Sequence, residues 1–180
     1  MTTADTNRLV QLIPFEERHF ATLSTWFNSA RDVVQWGGPQ LDFPLDPRQL
    51  DAMLSECRAT PPLRLCWMAE DEAGGLVGHA QLALDWRNGV ARIGRVAIAP
   101  AMRGKSLAGA MLNQVLARAF AYAAIERTEL NVYSWNTPAI RAYRRLGFVH
   151  EGVRRSSAKV DDERWDTAMM SILRCEWNSI

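Results

Sequence analysis

Residues 103–106, Arg-Gly-Lys-Ser, place two cations, a glycine and a hydroxyl in four consecutive positions, a grouping suited to holding phosphate. They lie within IGRVAIAPAMRGKSLAGAMLNQVL, residues 93–116, which reads as a buried strand, a Pro-marked turn, a basic loop and an amphipathic helix. A helix beginning here turns its first four amides, which lack internal partners, toward the loop. Its dipole favours negative charge at the same place. A phosphorylated cofactor is what this order of elements predicts. One form it could take is a nucleotide: residues 99–106 fit a relaxed phosphate-loop pattern with Ala99 in place of the opening glycine, Lys105 reaching the β/γ-phosphates and Ser106 a magnesium ion.

The sequence downstream separates the readings. A nucleotide-binding domain of that kind needs a later buried strand ending in an acidic metal ligand. The next strand-like run, residues 128–135 (TELNVYSW), ends without an aspartate, and NTPAIRAYRRLGF follows at residues 136–148. Arg103-Gly104-Lys105-Ser106-Leu107-Ala108 resembles the pyrophosphate loop of the GNAT acetyltransferases, Arg/Gln-x-x-Gly-x-Gly/Ala, with Ser106 where the family usually has glycine. Residues 136–148 resemble the family's second signature, Asn-x-x-Ala-Ile-x-x-Tyr-x-x-x-Gly-Phe, in the expected order. Together with Glu151-Gly152-Val153-Arg154 and Trp165-Asp166-Thr167-Ala168-Met169, this block looks closest to the RimJ/RimL-like branch.

The resemblance implies an acetyl-CoA-dependent N-acetyltransferase that acts on a primary amine, of a small molecule or a protein N-terminus, by direct transfer in a ternary complex. Main-chain groups of Val96, Ala97 and Ile98 would bond the pantetheine arm and polarise the thioester carbonyl. The amides of Arg103, Gly104, Lys105, Ser106, Leu107 and Ala108 would hold the pyrophosphate, with Arg103 adding charge and Gly104 permitting close approach. Asn136 would contact the cofactor, although Asn-Thr-Pro is also a good helix cap by itself. Tyr143 is the candidate general acid for the departing thiolate. A general base is not assigned: residues 91–95 offer arginines and no carboxylate, leaving Glu129, Asp85, a water chain or solvent. His79 and His150 read as structural residues.

These residues need elements to position them. A short strand over residues 9–13 is closed by Pro14, and Phe20, Leu23 and Phe27 give residues 15–28 a helical period. Residues 36–47 (WGGPQLDFPLDP) read as a loop, with Trp36 and Phe43 as candidate walls of the acceptor cleft and Asp42 and Asp46 as groups that attract a cationic amine. Asp46 also caps a helix that begins at Pro47 and runs to Arg58. Strands follow over residues 63–70, 76–85 and 91–99, with Asn88-Gly89 turning the last pair. Leu107, Met111 and Val115 mark a helix after the basic loop. Then come a strand (128–135), a helix (138–146) and two strands (148–154, 165–173). This order gives an α+β fold, a mixed and mostly antiparallel sheet of six to seven strands flanked by about four helices, as in GNAT proteins.

At 180 residues the chain suits one domain over residues 8–180 behind a short disordered lead, 1–7. A net charge of +1 gives no support to a nucleic-acid partner. The three cysteines have no metal-ligand spacing, so no metal is expected, and they read as reduced thiols of a cytoplasmic protein. No run reaches membrane-spanning length, so no membrane partner is expected. None of the cysteines lies in a cofactor motif, so a covalent acetyl-enzyme has no evident nucleophile. A non-catalytic acyl-CoA-binding sensor on the same fold is the alternative, and a homodimer through the sheet edge or terminal strands fits the pattern.

Overall fold

Alternation with a period of two sorts the strands between two faces, each covered by helices. The computed structural model describes residues 10–177, so the expected lead at 1–7 lies outside the described residues. The strands are β1 (Gln11–Pro14), β2 (Arg64–Glu70), β3 (Leu76–Asp85), β4 (Val90–Ile98), β5 (Arg127–Tyr133), β6 (Val149–Val160) and β7 (Glu163–Leu173). The described helices are α1 (Phe20–Ser24), α2 (Ala30–Gly37), α3 (Pro47–Cys57), α4 (Leu107–Phe120) and α5 (Thr137–Arg145). One seven-stranded sheet runs β1-β2-β3-β4-β5-β7-β6. Its neighbours are antiparallel except β4 and β5, which are parallel.

Along β3, Ala80, Leu82 and Leu84 join a core with Met111, Leu112, Val115 and Leu116 of α4 and with Tyr143 of α5. The opposite face holds a second core of Leu23, Val33, Trp36, Leu50, Met53 and Met68 beneath α1, α2 and α3. Removing each leucine or methionine from water contributes roughly 1.5–3 kcal/mol, so the two cores anchor the sheet from both sides.

Three sequence expectations give way. Residues 15–28 do not form one helix: a 3-10 turn at Glu17–His19 leads into the five residues of α1. Residues 30–37 form α2, which places Trp36 on a helix rather than in a loop. Ser29 starts it by accepting from the Asp32 amide at 3.1 Å, and Asp32 reaches back to the Asn28 amide at 3.0 Å. Gly38, at φ +89°, ends it by donating its amide to Val34 at 2.9 Å. β6 continues to Val160 instead of stopping at residue 154. It is an edge strand exposed for most of its length, so no inward period marks its polar second half.

β4 and β5 begin side by side, with Val90 opposite Arg127 and Ile93 opposite Leu130, and pairing ends there. The cause lies in β4. Between the pairs Gln81↔Gly94 and His79↔Ala97, β3 contributes Ala80 alone while β4 contributes both Arg95 and Val96. Arg95 takes up the extra residue at φ +50°. Such a bulge bends its strand and ends regular pairing. Residues 94–98 of β4 therefore diverge from residues 131–133 of β5, opening a gap in the middle of the sheet.

Candidate functional site

The gap leads to the start of α4. After β4, Pro100–Met102 makes one 3-10 turn, and residues 103–106 form the basic loop. Gly104 sits at φ +77° with nothing within 4 Å of the position a Cβ would take, and Ser106 stands at φ +60° as the residue before the helix. Both lie in the left-handed region, which costs a non-glycine residue roughly 1–2 kcal/mol. Ser106 therefore sits at a position that a glycine would occupy without strain. The Ser106 hydroxyl makes no capping bond. The amides of Gly104, Lys105 and Ser106 have no hydrogen-bond partner among the described residues. A shallow depression of about 270 Å³ lies over them, lined by Ile98, Met102, Arg103 and residues 104–108. Arg103 donates to the Ile98 carbonyl at 3.3 Å, and Lys105 Nζ lies 3.3 Å from Met102 Sδ. Leu107 is buried below and Ala108 half-buried at the rim. This arrangement suits a pyrophosphate: open amides, a helix dipole and two cations with little side-chain bulk.

Across the gap, β5 passes into α5. Asn136 accepts from the Ala139 amide at 3.3 Å with Pro138 in the first turn, so this helix start is closed by its own side chain. Tyr143, about two turns on, is 8 % exposed and packs edge-on against Phe148 at 5.7 Å. Burial pushes its hydroxyl up to about 12. It is therefore protonated at neutral pH and able to donate.

The other face of β4 is polar where α2 and α3 cover it. Trp36 is 8 % exposed in the second core, with its Nε1 donating to the Arg95 carbonyl at 2.7 Å and its ring 5.7 Å from His79. Phe43 is 44 % exposed in the loop between α2 and α3. Asp46 caps α3 by accepting from the Gln49 amide at 2.9 Å, and the Asp42 amide donates to Gln49 at 2.8 Å. Gln81 Oε1 receives both Arg95 at 2.9 Å and Arg64 at 3.2 Å, and Arg64 is paired with Glu56 at 2.7 Å. This network ties the bulge in β4 to α3.

The titratable groups considered as bases are occupied elsewhere. Burial would raise the Glu129 carboxyl, but Arg92 and Arg127 outweigh it and hold it below its ordinary value. Asp85 is lowered by hydrogen bonds from the Asn88 side chain and amide in the β3–β4 turn. His79 is fully buried, and desolvation assisted by Arg95 lowers it to about 3, so it is neutral. His150 lies exposed on β6.

One cluster at the site escaped the sequence reading. Tyr133 and Trp135 share a face at the end of β5, their rings parallel to within 3° and 6.2 Å apart, and Trp165 of β7 meets them edge-on at 4.8 and 5.1 Å. Trp135 is 46 % exposed. Arg31 of α2 lies 4.7 Å over the Trp165 ring and pairs with Glu163, which also accepts from Trp165 Nε1. Tyr133 ends β5 and Trp135 stands in the turn that follows, so no strand period marks the pair in the sequence.

The sheet thus parts at its parallel pair, with an open helix start beside the parting and Tyr143 on the helix beyond it. The chain belongs to the acetyltransferase (GNAT) family, whose profile matches residues 25–148. It is an N-acetyltransferase with acetyl-CoA as co-substrate. Among its relatives is a SPbeta prophage-derived uncharacterized N-acetyltransferase, YokL, of Bacillus subtilis (strain 168), 28 % identical over 127 residues, or 70 % of each chain. Its fold is shared with spermidine N-acetyltransferase from Vibrio cholerae in complex with CoA and spermine, at TM-score 0.79 and 21 % identity over 93 % of this chain and 96 % of that one. The Vibrio cholerae spermidine/spermine enzyme SpeG with manganese ions superposes at TM-score 0.74 and 21 % identity, covering 91 % and 92 %. No helix of the described residues is long and apolar enough to cross a membrane.

Proposed function

We propose that this enzyme acetylates a primary amine by direct attack on the thioester while acetyl-CoA and the acceptor are bound together. The observation that carries this reading is the open start of α4 beside the gap between β4 and β5. Acetyl-CoA supplies the activated acyl group. The amides of residues 103–108 and the Arg103 guanidinium hold its pyrophosphate. Main-chain groups of Val96, Ala97 and Ile98, left unpaired toward β5, orient the pantetheine arm, and one amide polarises the carbonyl. The free Nδ2 of Asn136 donates to the cofactor while its Oδ1 caps α5.

Tyr143 gives its proton to the departing thiolate. A hydroxyl raised to about 12 is a weak acid in water. A thiolate released into the same poorly solvated gap is raised by the same cause, so the transfer stays close to balanced. Glu129 and Asp85 are tied to arginines or to a turn, so the acceptor loses its proton to water.

The acceptor is an amine with an apolar or flat portion. The exposed faces of Phe43 and Trp135 support this, and the guanidinium seated on Trp165 is an example of a cation held by this aromatic cluster. Trp36 contributes through its bond to Arg95, fixing the bulge that opens the gap. The RimJ/RimL-like signatures favour a peptide α-amine, and the spermine held by the structurally similar enzyme makes a polyamine the other acceptor to try.

The experiment is thiol release from acetyl-CoA with spermidine, spermine and a short peptide with a free N-terminus. Release with one of them is expected, and Tyr143→Phe is expected to lower kcat by about 100-fold with an unchanged Kd for acetyl-CoA. Unchanged kcat would remove Tyr143 from the mechanism. Calorimetry showing no acetyl-CoA binding would remove the reading of the α4 loop.

A further inference from the structure

We propose that Cys57 and Cys66 form a dithiol that a hydroperoxide oxidises to a disulfide joining α3 to β2. Cys57 is the last residue of α3 and Cys66 lies within β2, and their sulfurs are 3.5 Å apart as free thiols. Neither belongs to the acetyl-transfer site. A disulfide needs the sulfurs at about 2.05 Å, so closure brings them together by about 1.5 Å.

Access and reactivity are divided between the two. Cys66 is buried, whereas Cys57 is half-buried and lines a depression of about 460 Å³. Phe15 and Leu54 form its apolar wall, and Arg18, Arg58, Glu16 and Glu17 stand at its rim. A small peroxide therefore reaches Cys57 first. The contact with Cys66 and the nearby Arg64 hold the Cys57 thiol below its ordinary value, against the effect of burial. The same contact and burial push Cys66 up, so it waits as the protonated partner.

The chemistry balances in two steps. The Cys57 thiolate attacks the peroxide oxygen, the O–O bond breaks, and the alcohol leaves with a proton from water, giving a sulfenic acid at Cys57. Cys66 sulfur then attacks Cys57 sulfur, the S–O bond breaks, and the hydroxide leaves as water with the Cys66 proton. Each sulfur gives up one electron, and the two together reduce the peroxide.

Cys175 is exposed and offers a competing thiol, so the test uses Cys175→Ser. The folded variant is treated with one equivalent of cumene hydroperoxide and then alkylated. The expected result is a mass loss of about 2 Da, neither remaining cysteine alkylated, a peptide linking residues 57 and 66, and recovery of both thiols with dithiothreitol. Adding Cys66→Ser should leave a Cys57 sulfenic acid that dimedone traps. Oxygen retained on Cys57 with Cys66 still open to alkylation would overturn the proposal, and so would two unreacted thiols. The Cys175→Ser result alone decides if the double variant does not fold.

Discussion

α4 and α5 start from the same end of the parallel strand pair, yet the chain treats their first turns in opposite ways. α5 has Asn136 accepting from its third amide and Pro138 in its first turn, so few donors are left over. α4 has a left-handed Ser106 with no capping bond, amides without partners and two cations nearby. Asp46 of α3 and Ser29 of α2 follow the α5 pattern. A helix start left open amid capped ones has given up about 1 kcal/mol of cap stability. The difference teaches that α4 leaves its donors open, as the proposed pyrophosphate site requires, whereas α5 uses them on itself.

Charge at the open end tests this most sharply. Ser106→Asp supplies the missing anion from within the chain, adding about 0.3–1 kcal/mol to the unliganded protein. The same carboxylate opposes the pyrophosphate, so the Kd for acetyl-CoA is expected to rise at least about tenfold, or 1.4 kcal/mol. On one preparation, urea unfolding should show stability rising while calorimetry shows affinity falling, and a rise in both stability and affinity would erase the contrast. At the closed end, Asn136→Ala is expected to cost about 1 kcal/mol by urea unfolding. Asn136→Asp keeps the cap acceptor and loses the amide donor, so it should preserve stability and weaken acetyl-CoA binding alone. The smallest effect is Ser106→Gly. Relief of left-handed strain, about 1–2 kcal/mol, exceeds the added chain entropy, about 0.5–1 kcal/mol. A net gain near 0.5 kcal/mol is expected as a raised urea midpoint.

Both helix starts were legible in the sequence because caps and amphipathic stripes are local. The strands β3 and β4 were equally plain, since a turn signal at Asn88-Gly89 fixed their register. α2 is hidden although Ser29 and Asp32 carry a capping pattern, because its eight residues end in Gly37 and run straight into Gly38. Trp36 was misplaced with it. The bulge at Arg95 has no local mark: it depends on pairing with β3 and on a bond from Trp36, which lies 59 residues earlier. The aromatic cluster depends likewise on β7 returning beside β5. For the bulge and the aromatic cluster, what the sequence hid was a contact between distant segments.

The parting of β4 from β5 also bears on how the enzyme lasts. A sheet ordinarily has two margins, and this one carries a further unpaired stretch in its interior, between β4 and β5. Unpaired strand backbone is a template for association with other chains. A ligand bound where the proposed function puts acetyl-CoA would cover that stretch and, at a hundredfold excess over its Kd, add about 2.7 kcal/mol to the folded state. On the proposed reading acetyl-CoA would be a preservative as well as a reactant, and the expected outcome is slower loss of folded protein on storage with it than without it.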